Sequence, residues 1–224
     1  MTSRPGPWGW RRQGGLVAVF LFFCLGYIQA AGAAPPVREP GAGESLAYKI
    51  HAVRPGDTLE KIAGRPEFYG DRLKWFLVYF QNREELAPLR LDPDEAAAAL
   101  LRPGLALALL PPGQVAGSAR KATCCGQVYW VINIRSSLDS SRLNRLLLQI
   151  MDLGDFAYLS TYLQRGKTWY RLRVGFFDSQ EAAASRAGQL GARLGLTDLW
   201  IAKAAVLEVR EYIGFVWGMK SGPP

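Results

Sequence analysis

Histidine and cysteine are scarce in this chain. Its 224 residues include one histidine, His51, and three cysteines, none of which form a spaced pair. Zinc sites need several such ligands at short spacing, and phosphate-binding glycine loops of the GxxxxGKS/T or GxGxxG type are also missing. The sequence therefore predicts no metal and no cofactor. His51 has no partner residues for catalysis nearby in the sequence, so we expect it to have a structural role.

The chain has little excess charge for its size. Basic residues number 27 and acidic residues 19, and apolar residues make up 49% of the chain. This composition is globular, and the mild positive charge suits an anionic polymer of the cell envelope or a membrane surface as well as nucleic acid.

The N-terminus has the pattern of an export signal. Residues 1–15 contain arginines and no acid, residues 16–28 contain no charge, and small residues follow. We expect cleavage before Ala34, which removes residues 1–33. An uncleaved membrane anchor over 16–34 stays open as the alternative. Both alternatives place the remaining chain in the periplasm or cell envelope, and contact with the membrane is expected only if the segment stays uncleaved.

Two segments rich in small residues, proline and glycine divide the exported part. We interpret 34–46 and 114–127 as linkers. They separate a module at 47–113 from a second module at 128–206, and a tail follows at 207–224. The expected fold class is α+β, with two small modules.

The first module begins and ends with alternating segments typical of strands, and two short helical patterns lie between them. The order is βααβ, and we expect the two strands to pair antiparallel. This segment resembles a LysM domain. The matching residues are Tyr48, Ile50, Val53, Gly56, Asp57, Thr58, Leu59, Ile62, Ala63, Tyr69, Gly70, Asp71, Asn82, Pro103, Gly104 and Pro111.

The LysM resemblance implies binding of glycans that contain N-acetylglucosamine. The groove would lie between the loop after the first strand and the loop after the second helix. The residues that the resemblance assigns to it are Gly56, Asp57, Thr58 and Leu59 on one side and Asn82, Arg83 and Glu84 on the other. Residues 90–101 form a longer loop than is usual in the family, and we expect an extra helical turn beside the groove.

The second module alternates strand and helix patterns in the order βαββαβ, which fits a ferredoxin-like split βαβ sheet. It resembles a SPOR domain. The matching segments are 130–134, 154–158, 170–177 and 181–182. The resemblance implies binding of peptidoglycan, with a preference for denuded glycan strands that have lost their stem peptides.

Alternation along the strands predicts which side chains share a face of this sheet. Two helices cover one face, and the residues with the opposite parity form an open face. Aromatic rings there can stack on sugars, and amide and guanidinium groups can donate hydrogen bonds. The predicted glycan-binding residues are Asn133, Tyr158, Tyr162, Trp169, Arg171, Arg173 and Trp200.

These features predict a non-catalytic peptidoglycan-binding protein of the cell envelope, in which two tethered glycan modules raise the overall avidity. Recruitment to division sites stays open. One alternative is an accessory of a cell-wall hydrolase or a weak hydrolase, which would need two carboxylates across a cleft. RNA binding is disfavoured, because Arg171 and Arg173 stand where the aromatic residues of an RNA-recognition strand would stack.

Cys124 and Cys125 are adjacent in the second linker. Neighbouring Cα atoms are about 3.8 Å apart, which is shorter than the roughly 4.4 Å that a relaxed disulfide requires. A bridge between the two would be strained. Either cysteine could instead join two chains into a disulfide-linked dimer, or the pair has no functional role.

Overall fold

The computed structural model describes residues 47–124 and 126–220. The predicted export signal, the whole of the first linker, Cys125 and the last four residues of the predicted tail lie outside these residues. Within the described part of the chain, no helix combines the length and apolarity needed to cross a bilayer. Helices and strands alternate through both modules, and the predicted α+β class is confirmed.

The first module has the predicted order of strand, helices and strand, with a third short helix added. Its elements are β1 (Lys49–Ala52), α1 (Leu59–Ala63), α2 (Trp75–Gln81), α3 (Arg83–Leu86) and β2 (Ala106–Leu109). β1 and β2 pair antiparallel, with Lys49 opposite Leu109. Strands that are far apart in sequence thus close the module.

The segment expected to be the second linker is mostly helical. Helix α4 spans Pro112–Cys124. Val115, Ala119 and Ala122 are buried, and their spacing places them on one face of the helix. The expectation of an unstructured linker here is wrong, because this stripe of small side chains packs against another part of the chain.

The second module is a four-stranded antiparallel sheet with two helices. Its elements are β3 (Trp130–Ser137), α5 (Ser141–Asp152), β4 (Ala157–Gln164), β5 (Lys167–Phe177), α6 (Gln180–Leu194) and β6 (Trp200–Lys203). The spatial order is β4-β5-β3-β6. The first and third strands of the module are therefore central, as the split βαβ topology predicts.

The C-terminal segment is a helix rather than the expected tail. Helix α7 spans Val206–Lys220. Val209, Tyr212, Ile213 and Phe215 are buried on it. Residues 212–217 are all buried or half-buried, so α7 is covered around most of its circumference, and its run of apolar residues was the available sequence signal.

Gly214 lies where α7 meets α4. A Cβ atom at this position would lie 2.5 Å from both the Cβ and the carbonyl oxygen of Val115. The two helices can approach this closely only because residue 214 has no side chain.

We expect Gly214→Ala to lower the free energy of unfolding by about 1–3 kcal/mol through overpacking, despite the better helix propensity of alanine. Urea denaturation measures the change. Gly188→Ala in α6 is the matched control, because a Cβ there meets nothing within 4 Å. Equal stability of the two variants would contradict the close approach of α4 and α7.

The two modules and α7 share one core. The ring of Phe76 on α2 lies 6.4 Å from Phe156 of the second module and 6.0 Å from Tyr212 on α7. Arg83 Nη1 donates to the Met151 carbonyl over 3.1 Å. Side chains from both modules are thus buried against each other.

Candidate functional site

One row of side chains crosses all four strands of the sheet. Tyr158 on β4 is opposite Arg173 on β5, which is opposite Asn133 on β3. Asn133 is in turn opposite Trp200 on β6. Directly paired residues point to the same face, so the structure brings together these four predicted residues. We refer to them as the central row.

Most of the central row is covered. Tyr158 and Asn133 are 0% exposed, and Arg173 is 8% exposed. Arg173 Nε donates to Asn133 Oδ1 over 2.9 Å, and Arg173 Nη1 donates to the carboxylate of Glu208 on α7. The expectation that these three side chains face solvent is wrong, because the C-terminal helix covers the middle of the sheet.

Aromatic packing holds α7 on this face. The Tyr212 ring centroid lies 4.8 Å from that of Tyr158, and its hydroxyl donates to the Leu159 carbonyl over 3.5 Å. Burial, with the Glu208 carboxylate nearby, raises the pKa of Tyr158. This part of the sheet is therefore a packing surface for α7, in which aromatic rings surround the Arg173–Glu208 ion pair.

Trp200 and the three remaining predicted residues are at least partly accessible, because Tyr162, Trp169 and Arg171 are half-buried. The rings of Tyr162 and Trp169 stack at 6.3 Å with an interplanar angle of 21°. The Arg171 guanidinium lies 4.1 Å from the centroid of the Tyr162 ring, and Trp200 is 47% exposed. We call Tyr162, Trp169, Arg171 and Trp200 the open patch.

Two serines add hydroxyl groups beside Arg171. Ser160 on β4 and Ser136 on β3 are its cross-strand partners. Simple alternation from Asn133 does not place Ser136 on this face. The register shift between Asn133 and Arg135 does so, because a bulge changes the parity of the residues that follow it.

A pocket of about 340 Å³ adjoins the open patch at the β6 edge. Its polar lining comes from the end of β3 and from the loop between α6 and β6. The residues that supply it are Arg135, Ser136, Thr197, Asp198 and Trp200. An indole, a guanidinium, hydroxyls and a carboxylate together suit a polyhydroxylated ligand.

Residues 126–199 match the family model of the SPOR domain. The SPOR resemblance predicted for the second module is confirmed, and SPOR domains bind peptidoglycan. Helix α7 lies beyond the matched residues of the SPOR domain. No curated protein and no solved structure matches the chain.

In the first module, the structure gives several of the groove residues predicted from the LysM resemblance contacts within the chain. The Thr58 hydroxyl accepts from the Lys61 amide at the start of α1, and Leu59 is buried. The Asn82 side chain donates to the Val78 and Ala108 carbonyls. These three side chains stabilise the module and are not available to a ligand.

Asp57 is also buried, within a charged cluster. Its Oδ1 accepts from Arg65 over 2.6 Å, and its Oδ2 accepts from the Arg54 amide and lies 3.0 Å from His51 Nε2. Burial by itself would raise the pKa of Asp57, but the Arg54 amide, His51 and Arg65 outweigh it and lower the pKa. The cluster fixes the turn after β1, which agrees with the structural role expected for His51.

The remaining groove residues lie at the surface. Gly56 and Glu84 are exposed, whereas Arg83 is half-buried by its contact with the second module. The long loop lies beside the Gly56 turn, because the Glu60 amide donates to the Ala97 carbonyl over 3.0 Å. Part of the backbone on this side of the expected groove is therefore already hydrogen-bonded within the chain.

The described residues contain no group of three or more His, Cys, Asp or Glu side chains that could hold a metal ion. Cys124 is the last residue of α4. Because Cys125 lies outside the described residues, the disulfide-linked dimer stays a prediction.

Proposed function

We propose that this protein is a non-catalytic peptidoglycan-binding protein of the cell envelope, and that its SPOR domain binds glycan strands through the open patch. The observation that carries the proposal is the set of half-buried and exposed aromatic and guanidinium groups on the SPOR sheet: Tyr162, Trp169 and Arg171 are half-buried, and Trp200 is exposed.

The chemistry of the open patch suits a glycan. Aromatic rings pack against the apolar C–H faces of sugar rings, and Trp169 and Trp200 offer two such surfaces. Arg171, with Ser160 and Ser136 beside it, offers donors and acceptors for hydroxyl, acetamido and carboxylate groups. The pocket next to Trp200 is large enough for a sugar residue at the edge of the sheet.

The proposal includes a second, weaker glycan contact on the LysM-like first module. Gly56 and Glu84 are the predicted groove residues exposed there. Two contacts on one strand would raise the overall affinity, and a shared core would hold them at a fixed separation. Export through residues 1–33 and recruitment to division sites, beside cell-wall hydrolases, belong to the same proposal.

A pull-down with purified sacculi tests the open patch. We expect the double variant Trp169→Ala, Arg171→Ala to bind about ten- to a hundredfold more weakly, because it loses a stacking surface and a charged donor. Arg193→Ala on α6 is the control, since this exposed arginine lies on a helix and not on the open face.

Circular dichroism and thermal denaturation of each variant separate lost binding from lost folding. If the folded double variant binds sacculi as strongly as the wild type, the open patch is not the glycan site. If the wild type does not bind sacculi at all, the proposed function is wrong.

A further inference from the structure

Glu208 places a carboxylate at the centre of the SPOR sheet. It accepts from Arg173 Nη1 and from the Ala205 amide, the latter over 3.3 Å. Arg173 is held in position by its second bond, from Nε to Asn133 Oδ1. Central strands β3 and β5 thus build a preorganised site for one carboxylate, and a residue from outside the SPOR match occupies it.

The first turn of α7 and its middle are attached to the protein very differently. Tyr212 and Ile213 are buried in the shared core, and they anchor the middle of the helix. In the first turn, Val206 is 59% exposed and Leu207 is 75% exposed. Val209 is buried at the end of this turn, so the part that can move is 206–208, and its displacement breaks the Glu208 contact while exposing little apolar surface.

We propose that Glu208 takes the place of a ligand carboxylate on Arg173, and that the first turn of α7 is displaced when a glycan carboxylate binds there. This inference rests on the proposed function and adds to it a regulated anionic subsite. The central row continues into the open patch at Trp200, so a strand bound to the patch can reach Arg173 once Glu208 has left.

Peptidoglycan chemistry identifies the carboxylate. Each N-acetylmuramic acid carries a lactyl group whose carboxyl carbon forms an amide with the stem peptide. Removal of the peptide leaves a free lactyl carboxylate on the strand. A guanidinium binds a carboxylate more strongly than a neutral amide, so Arg173 would favour strands without stem peptides.

Competition between two similar groups determines the expected effect. A lactyl carboxylate that replaces Glu208 gains one charged contact while the protein loses another. Neutralising Glu208 removes the internal competitor, and we expect Glu208→Gln to bind peptide-free strands about tenfold more tightly than the wild type.

Isothermal titration calorimetry on the full-length protein provides the test, with two ligands. One is peptide-free glycan strands, and the other is the same strands after chemical reduction of their carboxyl groups to alcohols. Glu208→Gln should gain affinity for the first ligand only. Glu211→Gln is the matched control, because Glu211 is on the same helix and pairs with Lys74 at 2.7 Å, away from the central row.

The outcomes separate the two proposals. No change in Glu208→Gln, or an equal change for both ligands, would overturn the carboxylate subsite even if sacculi bind through the open patch. If neither the wild type nor either variant binds sacculi or glycan strands, the proposed function itself is refuted. Should Glu208→Gln not fold, the wild type alone decides: it should bind reduced strands several-fold more weakly, and equal affinities would refute the subsite.

Discussion

Tyr212→Ala should lower the free energy of unfolding by about 3–5 kcal/mol, the cost of removing a large buried aromatic side chain. The Tyr212 ring lies 4.8 Å from Tyr158, 6.0 Å from Phe76 and 6.3 Å from Phe156. It therefore contacts both modules at once. Loss of the Tyr212 ring should destabilise both modules and not only the C-terminal helix.

Urea denaturation, followed by near-ultraviolet and far-ultraviolet circular dichroism, measures this effect. Leu207→Ala is the control on the same helix, and because Leu207 is 75% exposed we expect a change below about 0.5 kcal/mol. Two separate unfolding transitions in the wild type, with only one shifted by Tyr212→Ala, would contradict a shared core.

Asp57→Asn should lower the free energy of unfolding by about 2–3 kcal/mol at neutral pH, because it weakens charged hydrogen bonds in a buried cluster. Asn cannot form an ion pair with Arg65, which now reaches Asp57 Oδ1 over 2.6 Å. Glu67→Gln, an exposed change in the same module, is the control and should leave the stability almost unaltered.

The effect of Asp57→Asn should depend on pH with a definite sign. The pKa of Asp57 is lowered in the folded protein, so its ionised form stabilises the fold at all pH values above the unfolded pKa of about 3.9. The stabilisation disappears as the pH falls through the lower, folded pKa. Urea denaturation at neutral and acidic pH should show the variant and the wild type converging in acid. A constant difference across that range would contradict the electrostatic role.

Periodicity in the sequence correctly predicted the strands and helices of the SPOR sheet and the faces of most of its strand residues. Alternation in β3, β4 and β5 placed Asn133, Tyr158 and Arg173 on one side of the sheet, where the structure pairs them in one row. The split βαβ order also placed β3 and β5 at the centre. Such features depend on the backbone geometry of a few neighbouring residues, and the alternation of apolar and polar side chains along a strand reveals them.

Proline, glycine and other small residues predicted linkers and turns less reliably. The segment that became α4 contains glycine and serine, which also favour linkers, and it is helical because Val115, Ala119 and Ala122 find a partner in α7. Turn and cap residues are ambiguous in the same way. Thr58 and Asn82 fit a ligand groove by resemblance, yet the structure uses them in hydrogen bonds within the chain: Thr58 caps α1, and Asn82 bonds to Val78 and to Ala108 on β2.

By itself, the sequence determined the α+β class, the SPOR domain and the residues on one face of its sheet. Only the tertiary structure decided which of those residues a ligand can reach. Helix α7 begins more than 30 residues after Arg173, and no local period records where a distant helix will pack. Burial of the Arg173 row under Glu208 and Tyr212 is a consequence of long-range packing, and the same packing leaves Tyr162, Trp169, Arg171 and Trp200 accessible.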